Sequence, residues 1–150
     1  MAIITFATES DGDIVSDNFG TVELNDTALG EVTFTIDLNE AIFGPDVDVH
    51  QFGFQSTYAG PLVIDPTSIG AADFTVEQNG NVAGLGSLEW DWLVDFDSGT
   101  PYLDPITFKL SGDPGFSVDS ILTAAALAVL VWAFEGTIVW WPSTHRPPTR

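Results

Sequence analysis

Cysteine is absent from the chain, which excludes disulfides, thiolate metal sites and cysteine nucleophiles at once. Cationic side chains are nearly absent: three Lys and Arg stand against 22 Asp and Glu, for a formal charge of −19. Phosphate recognition needs clustered Lys and Arg, so nucleic acid is excluded as a partner and an anionic membrane surface is disfavoured. Histidine is scarce too, and of the two present His145 lies in an aberrant tail. A Ser/His/Asp triad would have to use His50, yet no G-x-S-x-G elbow occurs in the chain. Glu89 and Asp91, two apart on a strand, would stand ~6.6 Å from each other, which touches the ~6.5–9.5 Å spacing of inverting glycosidases. Among so many acids some pair meets that spacing by chance, and the chain reads as non-enzymatic.

Two further things are missing. No basic segment followed by an apolar one opens the sequence MAIITFATES, so the expectation is an extracellular or cell-surface protein whose leader is not in this sequence. That expectation rests on a Thr-, Asp- and Gly-rich chain with one lysine. Nor is there a long amphipathic helical pattern or a full membrane span. Ile121 to Phe134 would reach about 21 Å as a helix, against a bilayer core of ~30 Å.

What the chain does have is 45% hydrophobic and 12% aromatic residues in a length typical of one domain. Leu88, Trp90, Trp92, Val94 and Phe96 recur at a spacing of two, with Glu89, Asp91, Leu93 and Asp95 between them. That alternation predicts a half-buried strand with a row of carboxylates outside. Ala2 to Thr8 reads as a first strand, and Phe19 to Leu24 as a second that turns at Asn25-Asp26. Glu31 to Leu38 follows, with Val32, Phe34, Ile36 and Leu38 inward. Val47 to Gln55 begins with Val47 and Val49 on one face and ends with Phe52 and Phe54 on the other, a phase change that predicts a β-bulge near His50 and Gln51. Leu62 to Ile64 and Asp73 to Gln78 are short strands, and Asn79-Gly80 reads as a two-residue hairpin turn. Ile106 to Leu110 alternates again. Ser117 is placed to cap a short helix through Thr123. Ala124 to Phe134 is apolar on both faces and is read as a central strand, with Thr137 to Trp141 after it.

Turn signals every 8 to 12 residues predict an all-β chain, a single antiparallel two-sheet β-sandwich with at most one short helix near 117–123. The domain is expected to span 1–136. Residues 137–150, rich in Trp, Pro and Arg, form a tail that is either an assembly element or a cloning remnant. The order EVTFTIDL, VDVHQFGFQ, then FSVDSIL leading to a last apolar strand resembles the cohesin-like β-sandwich modules of secreted bacterial proteins of the exosortase-sorted (PEP-CTERM) type. The resemblance covers most of Thr21 to Phe134. It implies a jelly-roll-like fold and a non-enzymatic extracellular module used for adhesion, matrix or assembly.

Candidate sites follow from residue chemistry. Calcium takes six to eight hard oxygen ligands, and two Asp/Gly-rich loops offer them: Asp11, Asp13 and Asp17 in one, Asp95, Asp97 and Asp104 in the other. Tyr58 and Tyr102, in loops, are candidate platforms for the alternative function, a carbohydrate-binding module with a polysaccharide or matrix partner. Trp132, Ile138, Trp140 and Trp141 exceed what one sandwich can readily bury, and are candidate contacts for a homo-oligomer or filament.

Overall fold

The computed structural model describes residues 1–9, 18–44, 47, 49–65, 75–80, 90–96, 105–124, 126–131 and 137–141, with the main chain alone at 8, 9, 128, 130, 131, 137, 138, 140 and 141. Alternation builds its strands. In β4 (Glu31–Leu38) the residues Val32, Phe34, Ile36 and Leu38 are buried, between Thr33, Thr35 and Asp37 on the outer side. Beside it in the first sheet lie β3 (Gly20–Ala28) and then β1 (Ala2–Phe6) on one flank. On the other flank are β9 (Ile106–Ser111) and β6 (Val63–Ile64). The second sheet runs β2 (Thr8–Glu9), β11 (Thr137–Trp141), β10 (Leu127–Val131), β5 (Val49–Phe54), β8 (Trp90–Asp95), β7 (Thr75–Gly80). Every described pairing is antiparallel.

The two sheets face each other across one aromatic core. Phe34 of β4 stacks on its register partner Phe108 of β9, with ring centroids 5.0 Å apart. Across the gap it meets Phe52 and Phe54 of β5 at 5.6 and 5.4 Å. Phe96, just past β8, closes on Phe108 at 5.3 Å. Burying each such ring is worth about 1.5–3 kcal/mol, and each well-placed ring pair about 0.5–1.5 kcal/mol more. The chain is therefore an all-β, sandwich-like molecule.

Several expectations are met in detail. Val49 pairs with Val131 and Gln51 with the adjacent Leu130, so His50 is the extra residue of a bulge. The bulge is what lets Val47, Val49, Phe52 and Phe54 all reach the core. Within the apolar run Ala124 to Phe134, Leu127–Val131 is a strand, β10, with β5 on one side and β11 on the other. No helix among the described residues is long and apolar enough to cross a membrane.

Others are corrected. Asn25-Asp26 is not a turn: β3 runs through it to Ala28, with an irregularity after Asp26, and reverses at Leu29-Gly30. Gly30 makes that possible, because its φ is 74° and an added Cβ would stand 2.6 Å from the Gly112 carbonyl oxygen. Asn79-Gly80 is not the hairpin turn either, since Gly80 still pairs with Trp90. The positive φ expected there exists at Asn79, 60°, within the strand. Leu93 does not share an open face with the acids; it is 1% exposed, and its side chain lies over Gly80.

The first strand divides. β1 joins the first sheet and β2 the second, so the chain changes sheets at Ala7 and closes one side of the sandwich. Among the described residues two short helices occur rather than one. The unexpected α1 (Glu40–Phe43) is started by Asn39, whose side chain accepts from the Ala41 N–H, and ends at Gly44, φ 82°. The expected α2 (Val118–Ala124) is capped by Ser117, whose Oγ accepts from the Ser120 N–H at 3.3 Å. Thr137 to Trp141 is hydrogen-bonded into the second sheet on both sides.

Candidate functional site

Where β3 begins and β4 ends, the main chain is drawn together by amide side chains. Asn18 Oδ1 accepts from the Gly20 N–H at 3.1 Å, and Asn39 Nδ2 donates to the Asn18 carbonyl at 2.7 Å. Gly20 is required at this closure: its φ is 141°, and a Cβ there would lie 2.8 Å from the Asp37 carbonyl oxygen. The result is an open depression of about 380 Å³, lined by Asn18, Gly20, Thr21, Asp37, Asn39 and Glu40 among others. Asp37 and Glu40 are exposed there. Asp17 directly precedes Asn18 in the sequence. The oxygen-rich lining of the depression suits a hard cation or a polar ligand better than an apolar one. Among the described residues no group of three His, Asp or Glu is arranged to hold a metal ion.

Of the calcium candidates, Asp11, Asp13, Asp17, Asp97 and Asp104 lie outside the described residues. Asp95 ends β8 opposite Gln51, whose Nε2 donates to its Oδ2 at 3.2 Å. Asp91, on the same strand, accepts the Ser56 N–H at 3.0 Å. Both carboxylates thus help to hold β5 and the segment after it against β8. His50 contributes its carbonyl, which accepts from the Phe96 N–H at 2.8 Å.

Tyr58 is tied into the fold. Its hydroxyl donates to the Pro61 carbonyl and accepts from the Asp113 N–H, both at 2.9 Å, and its ring lies 5.4 Å from that of Phe116. Tyr102 and Trp132 lie outside the described residues. In β11, Ile138 is the register partner of Leu130, Trp140 of Ala128 and Trp141 of Leu127. Trp140 is also opposite Thr8 of β2.

A polar knot beside this region has no sequence signature. Gln55, 2% exposed, accepts the Asp91 N–H at 2.8 Å through Oε1. Ser56 Oγ donates to Ser120 Oγ at 3.1 Å, Ser120 Oγ donates to the Ser117 carbonyl, and Asp26 Oδ1 accepts the Val118 N–H at 2.9 Å. These bonds fasten α2 to both sheets. Only Ser117 among these residues could be found in advance, from its place before a short apolar run. Trp90 Nε1 is buried with no hydrogen-bond partner among the described residues. No protein-family model, curated protein or solved structure matches the chain.

Proposed function

We propose that this chain is a non-enzymatic structural or adhesion module of the cell surface or extracellular space, which self-associates through β10 and β11 and gains stability from calcium. The observation that carries this reading is the register of that strand pair. Ala128 pairs with Trp140 and Leu130 with Ile138, and these positions alternate with Leu127, Val129 and Val139, which are buried in the core. By strand alternation these four apolar positions fall on the opposite face of the pair from Leu127, Val129 and Val139. Trp141 falls in the same set as Val139, which leaves Ile138 and Trp140 as the assembly positions. On an exterior of charge −19, like-charge repulsion would disfavour contact anywhere but at an apolar surface.

The strand order supports a jelly-roll-like, cohesin-like variety of sandwich. From β4 to β7 the chain passes alternately between the sheets, and on return β9 pairs with β4, and β8 and β10 with β5. For calcium the support is the depression with Asp37 and Glu40.

Ile138→Thr combined with Trp140→Thr tests the assembly surface, because threonine keeps strand propensity while removing apolar area. Light scattering coupled to size-exclusion chromatography should show large particles for the parent and their loss in the variant. Equal masses for the two would overturn the reading.

A further inference from the structure

Asn79-Gly80 has the composition of a turn and is held in a strand. Asn79 stands within β7 at φ 60°, in the left-handed region that asparagine tolerates better than most residues, and its side chain is exposed. Gly80 is buried and pairs with Trp90 of β8. The place a Cβ would take on Gly80 lies 2.7 Å from Leu93 Cβ and 3.0 Å from Glu77 Oε1. Glu77 and Leu93 are register partners. In a regular strand, residues three apart face opposite sides, so Glu77 and Gly80 would be kept apart. The left-handed turn at Asn79 breaks that alternation and brings the Glu77 carboxylate to Gly80. Three groups are thereby gathered: a side-chain amide carbon, the main-chain N–H of a residue with no Cβ, and a carboxylate beside it.

We propose that Asn79 is a self-modification site, at which the Gly80 amide nitrogen closes on the Asn79 side chain with the Glu77 carboxylate as base. The inference is independent of the β10–β11 surface and of calcium. Glu77 takes the proton of the Gly80 N–H, in direct contact or through one water, and the nitrogen attacks Asn79 Cγ. The new N–Cγ bond forms as the Cγ–Nδ2 bond breaks, and the side-chain nitrogen leaves as ammonia, carrying the proton back. Water then opens the succinimide ring. Breaking its Cγ–N bond leaves aspartate; breaking the bond from that nitrogen to the main-chain carbonyl carbon leaves isoaspartate, whose chain runs on through the side chain. Nothing is oxidised or reduced. Either product adds a carboxylate to a chain already at −19. The isoaspartate also inserts an extra methylene into β7, where Gly80 must meet Trp90. The site is thus a slow, irreversible timer on the hold of β7 against β8.

The test is to age the purified full chain at neutral pH and to follow residues 79 and 80 by peptide mass mapping, with isoaspartate scored by enzymatic methylation. The expected result is ammonia release in step with conversion of Asn79 to aspartate and isoaspartate. Glu77→Gln should slow this in the native protein about tenfold, short of the roughly 10²–10⁴-fold of a dedicated catalytic base, and should leave the rate in denaturant unchanged. Asn79→Gly, which accepts the positive φ, should abolish the reaction at this position while keeping the fold. An Asn79 that stays intact in the aged native protein, or a native rate indifferent to Glu77→Gln, overturns the proposal. Should Glu77→Gln not fold, the parent chain decides: conversion must be faster in the native state than in denaturant, and a slower native rate refutes the assistance.

Discussion

At the scale of single residues, Tyr58 shows how a side chain with a recognisable binding chemistry can be claimed by the fold. Its hydroxyl bridges the Pro61 carbonyl and the Asp113 N–H, two segments that are remote in sequence. Removing the oxygen leaves both groups to find water, at a cost of about 1–3 kcal/mol. Tyr58→Phe should therefore lower the urea midpoint while leaving the ring packed on Phe116; an unchanged midpoint would mean that the bridge contributes nothing. Nothing in the local sequence STYAGP announces this role, because one of the two partners is brought in by the β9–α2 connection. Asp91 and Asp95 teach the same lesson. Their place on the outer side of β8 could be read from the spacing, whereas their ties to Ser56 and Gln51 depend on which strand lies beside them.

At the scale of elements, legibility followed the strength of the local pattern. β4 and β9 were readable because each has one buried and one exposed face, so apolar residues recur at every second position. The His50 bulge was readable for the same reason, as a break in that recurrence. β10 carries no such contrast, and strand was chosen over helix there from context and length. Asn25-Asp26 and Asn79-Gly80 were misread because turn-forming residues also tolerate strand irregularities; what decides is the pairing partner, which local sequence does not contain. The Ser117 cap was legible, and it is testable. Ser117→Ala removes the acceptor for the Ser120 N–H and should cost about 1 kcal/mol, read as a lower denaturant midpoint. Ser117→Asp should retain most of the stability, which separates loss of the cap from loss of packing.

At the scale of the whole molecule, the fold leaves a large negative charge uncompensated. With −19 and three cationic side chains, the folded state repels itself, and salt screens that repulsion with a Debye length of about 10 Å at 0.1 M. The melting midpoint should climb between low and moderate NaCl. At fixed ionic strength, millimolar calcium should raise it further relative to EDTA, by an amount that corresponds to about 2.7 kcal/mol at a hundredfold excess over Kd. An identical midpoint in calcium and EDTA removes the metal from the account. The pairing of β2 with β11 bears on a different property, the order in which the molecule is made. It joins an early strand to the latest described one, across most of the length of the chain, and folds rich in such distant pairings form slowly, on the scale of milliseconds to seconds. During synthesis at about 5–20 residues per second, β2 waits for a partner that has not left the ribosome. The second sheet stays open along that side until translation reaches β11, and a nascent chain is most vulnerable to aggregation and proteolysis in that interval.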